Sequence, residues 1–247
     1  MQVKLLVAAA AAVATATTAQ ADVRVAHLSP NTPAVDVLAG PTGGAKGLAF
    51  DGATYPAVTD YIPLPTGNYD FDVVLDSDNS VIGIDVDDFA IDGDTDYTIA
   101  AVGLLGGSPA LQALPLVDDN TIDPNAARIR FVHASSNAPT VDIDVAGVGT
   151  LFDDVDQFTS GGYQTVPAGT YDISVLVSAD RPSGSVLDVD GFVAEAGTVY
   201  TIYAIGLVGD ANTPLGAFVS TDAVIPEPAT ASLFAAGLGT LLLRRRK

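Results

Sequence analysis

The sequence predicts an all-β protein built as two tandem antiparallel β-sandwich domains, and three observations predict it. Short apolar runs of period two recur every 8–15 residues from Asp22 onward, the signature of half-buried strands. Gly, Pro, Asn and Asp separate these runs, and no part of the body sustains a capped apolar period of 3.6 residues. Residues 22–225 also read twice, so the second copy is expected to adopt the fold of the first.

Taken in order, the 247 residues open on a targeting segment. Met1 to Lys4 carry one positive charge, Leu5 to Val13 form a short apolar run, and Ala19-Gln20-Ala21 fits the small-x-small rule of signal peptidase. Residues 1–21 therefore read as a secretory signal peptide cut after Ala21. The first sandwich spans 22–118 and opens on a strand with Val23, Val25 and His27 on one face and Arg24, Ala26 and Leu28 on the other. Further strands are expected at Ala34–Leu38, Tyr69–Leu75, Val81–Val86, Tyr97–Leu104 and Leu111–Val117. That count suggests about seven strands per domain, an immunoglobulin-like size. In Pro65-Thr66-Gly67 and Pro167-Ala168-Gly169 a Pro fixes φ and a Gly turns the chain into a Tyr-led strand. Tyr69 and Tyr171 then sit at a sandwich corner, ring in the core and hydroxyl on backbone. The polar stretch from Asp118 to Asn125 marks a linker at 119–127, and the second sandwich occupies 128–225.

The repeat is close enough to number. Arg24, His27, Ser29, Asn31, Pro33, Val35 and Asp36 return as Arg130, His133, Ser135, Asn137, Pro139, Val141 and Asp142, always 106 residues later. Tyr97-Thr98-Ile99 returns as Tyr200-Thr201-Ile202, with Gly103-Leu104 matching Gly206-Leu207. The doubled H-x-S-x-N-x-P-x-V-D opening, the P-x-G-x-Y turn and the Y-T-I-x-x-x-G-L strand resemble the bacterial family known as domain of unknown function 4397. The resemblance covers nearly the whole body twice and implies no activity. Ser136 departs from the first copy, which has Pro30 there.

The C-terminal residues 226–247 form a second address. Pro226-Glu227-Pro228 precedes an apolar stretch of 15 residues, Ala229 to Leu243, and the cluster Arg244-Arg245-Arg246-Lys247. An apolar run closed by basic residues stops translocation with the cluster inside, yet 15 residues fall short of a stable span. The order resembles the PEP-CTERM sorting signal of Gram-negative bacteria. That resemblance implies transient anchoring in the inner membrane by a short C-terminal helix, then an exosortase that removes the tail and passes the protein to the cell surface or exopolysaccharide matrix. A permanent single-span anchor is the alternative.

The charge excludes several functions. With 10 Lys+Arg against 30 Asp+Glu and no Cys, the chain repels nucleic acid and lacks disulfides, thiol catalysis and zinc knuckles. Residues 22–225 alone carry five basic and 29 acidic side chains, and 28 of those acids are Asp. Such a bias fits turns and cation ligands rather than helix surfaces. Ca²⁺ is the one cofactor this composition invites, with Asp92, Asp94 and Asp96 in the loop Asp92-Gly93-Asp94-Thr95-Asp96 as its ligands. No EF-hand spacing is present.

His27 and His133, the only histidines, admit two readings. In one, each works with Ser29 or Ser135 and Asp36 or Asp142 as a hydrolase centre. No G-x-S-x-G elbow or oxyanion donor accompanies them. In the other, each histidine closes a hairpin by bonding the loop that follows, while Arg24 and Arg130 pair Asp36 and Asp142 across the sheet. With no Trp to stack sugars, glycan binding would fall to Tyr, and Tyr55 and Tyr203, unmatched in the repeat, are expected to be the exposed ones. The sequence thus points to a non-enzymatic, exported surface or matrix protein with a structural or adhesive role in exopolysaccharide. Signal peptidase and exosortase are its expected partners and exopolysaccharide its expected surroundings. A Ca²⁺- or glycan-binding module and a hydrolase are the alternatives.

Overall fold

The computed structural model describes residues 19–179 and 184–225. The expected sorting signal at 226–247, and the expected signal peptide apart from Ala19 to Ala21, lie outside the described residues. Among the described residues no helix is long and apolar enough to cross a membrane.

The first half folds as β1 (Gln20–His27), β2 (Val35–Pro41), β3 (Gly47–Ala53), β4 (Ala57–Val58), β5 (Ile62–Pro65), β6 (Gly67–Leu75), β7 (Asp78–Ile91), β8 (Asp96–Val102) and β9 (Gln112–Asp118). The second folds as β10 (Ala126–His133), β11 (Val141–Val145), β12 (Gly149–Val155), β13 (Ser160–Pro167), β14 (Gly169–Val177), β15 (Ser185–Ala194), β16 (Thr198–Ile205) and β17 (Gly216–Val224). One sheet of the first half runs β4-β1-β8-β9, with β5 also on β1, and the other runs β3-β2-β6-β7. The second half repeats this order as β13-β10-β16-β17 and β12-β11-β14-β15.

Two details depart from the sequence expectation. The sheets are not purely antiparallel, because β1 pairs β8 in parallel, from Val23 beside Tyr97 to His27 beside Ala101, and β10 pairs β16 likewise. Parallel pairing needs a long connection, and the strands between β1 and β8 supply it. Among the described residues the halves also have nine and eight strands, not seven. The first half divides into β4 and β5 what the second half makes as the single strand β13, whose pairing with β10 shifts register opposite Arg130 to Val132. β1 begins at Gln20, two residues ahead of the expected mature start at Asp22, and Ala21 is buried beside Leu64.

Three apolar cores hold the molecule. One lies between the two sheets of each half, the first around Val25, Val37, Phe71 and Ile99 and the second around Phe131, Ile143, Phe152 and Ile202. The third joins the halves: Ala26, Leu28, Ala100, Val102 and Leu116 meet Val132, Ala134, Tyr203 and Ile205. Strands β1, β8, β10 and β16 are therefore covered on both faces, which is why β16 is buried at every position. Near-continuous apolar strands are the sequence counterpart of double coverage. Tyr203, expected at the surface, is 0% exposed and fills this third core. Its position in the repeat is Ala100, so it is an asymmetric filler between the halves. Tyr69 and Tyr171 take the expected corners, their hydroxyls donating to the Pro65 and Pro167 carbonyls at 3.0 and 2.8 Å.

Candidate functional site

The doubled opening motif resolves into a set of stitches between the loops that follow β1 and β8. Nε2 of His27 meets the Pro33 carbonyl at 3.0 Å, and Nε2 of His133 meets that of Pro139 at 2.9 Å. A carbonyl can only accept, so each Nε2 carries the proton. Ser29 Oγ donates to the Gly103 carbonyl at 2.7 Å and Ser135 Oγ to that of Gly206 at 2.8 Å. Both glycines have positive φ, and a Cβ there would collide with the carbonyl oxygen of Ala110 or Pro214, so the motif glycine is sterically required. The Asn31 side chain bonds both the amide and carbonyl of Leu105, and Asn137 does the same for Val208. His and Ser each spend their hydrogen bond on backbone instead of on one another, so the hydrolase geometry does not assemble.

Asp36 Oδ1 accepts from the Gly52 amide at 2.8 Å and Asp142 Oδ1 from the Asp154 amide at 2.7 Å. The expected Arg24–Asp36 and Arg130–Asp142 pairs do not form. The arginines lie on the opposite face of β1 and β10, which the other half covers. Arg24 Nη2 donates to Asp222 Oδ1 at 2.6 Å, and Arg130 Nη2 lies 2.7 Å from Asp118 Oδ1. The exchange is reciprocal, since each half lends an arginine to the other half's last strand. Arg24 Nε is fixed by Thr98 and Arg130 Nε by Thr201. The same threonines donate to Asp118 and Asp222 respectively. Tyr61 and Tyr163 cover the two guanidinium groups at 4.5 and 4.8 Å, and Tyr61 also donates to Asp118. Burial opposes the charge of both arginines, but the facing aspartates and tyrosines outweigh it and raise both above the ordinary value. Burial likewise pushes the Tyr61 and Tyr163 hydroxyls up.

The expected calcium ligands do not converge. Asp96 accepts from the Asp22 amide and the Asn120 side chain, both at 3.0 Å, while the backbone of Asp92 closes a turn with Thr95. Instead the structure gathers Asp36, Asp51 and Asp76, which each place one carboxylate oxygen within 4.8 Å of the others. β2, β3 and the end of β6 bring these residues together. Turning the Asn79 amide over lets its nitrogen donate to Asp36 Oδ2 at 3.2 Å. The second half has Asp142, Asp153 and Ser178 at the same three positions, and Ser178 Oγ donates to Asp142 at 2.7 Å. A hydroxyl therefore satisfies the scaffold where the first half places a third carboxylate. Three carboxylates that place oxygens this close together suit Ca²⁺, which takes oxygen-only ligands. These acids stand 15 and 25 residues apart in the chain, and only the sheet topology unites them.

A family model described as domain of unknown function (DUF4397) matches residues 21–144, the first half and the opening of the second. Among solved structures the chain is similar to the Bacillus anthracis TIE protein, at 10% identity over 76% of this chain and 34% of that one, with a TM-score of 0.24. It is also similar to the tip fimbrial protein Mfa3 from Porphyromonas gingivalis with C-terminal truncation, at 9% identity over 82% and 99%, with a TM-score of 0.22. The chain spans about a third of the length of the TIE protein. Superpositions this loose carry no argument about activity. No curated protein matches the chain.

Proposed function

The chain belongs to the domain of unknown function 4397 family, and from that premise we propose that it is an exported, non-enzymatic protein of the cell surface or extracellular matrix with a structural or adhesive role. The observation that carries the reading is the use made of the doubled polar residues. His27, Ser29, Asn31 and their repeats are spent on backbone, and Arg24 and Arg130 on the seam between the halves. These are the residues a catalytic reading would draw on, and they serve to make one stiff body. Delivery rests on the two ends of the sequence: signal peptidase would act on the N-terminal segment and an exosortase on Pro226-Glu227-Pro228, with transient anchoring by the apolar run that follows. Deleting residues 226–247 is expected to release a folded protein from the cell envelope into the medium, measured by fractionation and immunoblotting. Unchanged surface retention would refute the sorting route.

The acidic cluster favours a second reading, a Ca²⁺ site on Asp36, Asp51 and Asp76 with Asn79 beside it. A ligand bound only by the native state raises the melting temperature by mass action. Millimolar Ca²⁺ is expected to raise it in the parent and leave it unmoved in Asp76→Ser, the residue used by the second half. A rise that persists in Asp76→Ser would place any Ca²⁺ site elsewhere.

A further inference from the structure

The seam has two equivalent ends, and the repeat makes each a control for the other. At one end Arg130 Nη1 donates to the Val117 carbonyl at 3.0 Å. Asp119 and Thr121, just beyond β9, are clasped there by Arg128. At the other end the same nitrogen of Arg24 makes no hydrogen bond to a described residue and is not among the buried unpartnered atoms. A groove of about 370 Å³ opens there between the β4–β5 edge of the first half and β17 of the second, with Arg24 and Asp222 in its lining. Thr59, Asp60 and Tyr61 line one wall, and Phe218, Ser220 and Thr221 the other.

The strand registers align these positions residue by residue. Thr59 and Asp60 correspond to Gly161 and Gly162, while Phe218, Ser220 and Thr221 correspond to Leu114, Leu116 and Val117. The closed end thus has glycines and aliphatic side chains where the open end has a carboxylate, three hydroxyls and a phenyl ring. Of these groups the Thr59 hydroxyl accepts from the Val25 amide, Ser220 donates to Asp222 and the Phe218 ring packs on Tyr203, whereas the side chains of Asp60 and Thr221 hold no other described residue, so the scaffold does not require those two.

We propose that this groove binds a neutral sugar unit of a polysaccharide. The Asp60 carboxylate, the Thr221 hydroxyl and Nη1 of Arg24 offer an acceptor, a group of both kinds and a donor, the mixture that sugar hydroxyls need. Phe218 and Tyr61 supply aromatic surface for the apolar face of a pyranose ring. The volume lies within the range of small-molecule sites. One arginine against two aspartates leaves the lining net negative, on a body with 29 acidic and five basic residues, so the field disfavours anionic saccharides. The choice of a polysaccharide as the source of the sugar rests on the surface or matrix reading above, whereas the groove chemistry stands without it.

The test titrates the full chain, by calorimetry and saturation-transfer NMR, with cellotetraose, maltotetraose and laminaritetraose, and with tetragalacturonate as the anionic comparison. At least one neutral tetrasaccharide should saturate with a dissociation constant in the millimolar range or below. Thr221→Val and Asp60→Ala should each weaken it about tenfold or more while melting as the parent does. The proposal is overturned if no neutral tetrasaccharide saturates at millimolar concentration, if tetragalacturonate binds as tightly, or if both variants bind like the parent. Surface retention after deletion of 226–247 is measured independently, so failure of the sugar site and failure of the sorting reading give different results.

Discussion

Replacing Arg130 by Ala is expected to lower the unfolding free energy by about 3–5 kcal/mol, the range for breaking one partner out of a buried ion pair. Arg130 is 1% exposed. It joins Asp118 at 2.7 Å, Thr201 through Nε at 3.0 Å and the Val117 carbonyl through Nη1, under the ring of Tyr163. Truncation leaves the buried Asp118 charge with Tyr61 and Thr98 as donors and Arg24 Nε, 3.8 Å away, as its cationic neighbour, and opens a cavity between the halves. Arg130→Lys should recover only part of the loss, because an ammonium cannot serve three differently directed acceptors in one plane. The informative comparison is the pair Arg130→Met with Asp118→Leu, which removes both charges together and should cost much less than Arg130→Ala alone. Urea unfolding of the full chain, followed by circular dichroism and fitted as a double-mutant cycle, supplies all the values. Since the pair crosses from one half to the other, Arg130→Ala is also expected to separate the transition into two. A cost under about 1 kcal/mol with a single sharp transition would mean that apolar packing alone couples the halves.

That coupling was only half legible in the sequence. Period two placed Arg24, Ala26 and Leu28 on one face of β1, which is correct, but periodicity does not say what covers a face. The run Tyr97 to Val102 on β8 carried the missing signal, since a strand apolar on both faces implies a layer on each side. Asp118 read as the start of a polar linker because its partner, Arg130, lies on the next strand of another sheet. β3, β4 and β5 were missed for a local reason: Gly47, Gly52, Pro56 and Pro63 interrupt them, and β4 is two residues long. The corner tyrosines were legible because turn, ring and hydroxyl contact all fall within a few residues. The acidic cluster and the groove were not, because each draws on segments that only the fold brings together. In the groove, moreover, Thr59, Asp60, Ser220 and Thr221 have no polar counterpart in the other copy, so the repeat itself does not mark them.

Lowering the pH from 7 toward 5 is expected to destabilise the protein, and the two histidines are the reason. Both are 0% exposed, each donates through Nε2 to a carbonyl, and each Nδ1 has no partner. Protonation would place a second N–H in a site with no acceptor. Burial accordingly lowers both pKa values, with the loop carbonyls, and for His133 also Asp156, acting in the opposite direction. In the unfolded chain both rings take up a proton near the ordinary value of about 6.5. In the folded chain they stay neutral to lower pH, so the unfolded state binds more protons in that window. The stabilisation is therefore complete above pH 6.5 and declines as the pH falls toward the folded values. Each ring contributes about 1.4 kcal/mol for every tenfold by which folding weakens its hold on the second proton. The surface carboxylates act in a different range. Serine and backbone donors hold Asp78, Asp188 and Asp210 below the usual carboxylate value, so their contributions fade only under more acid conditions. Melting temperatures of the parent and of His27→Gln/His133→Gln, whose amides can still donate to the same carbonyls, separate the two ranges. The parent should lose stability between pH 7 and 5 and the double variant should stay flat there, with both falling further in stronger acid. Equal slopes above pH 5 would assign the acid sensitivity to the carboxylates, and would mean that the buried rings accept their second proton at little cost.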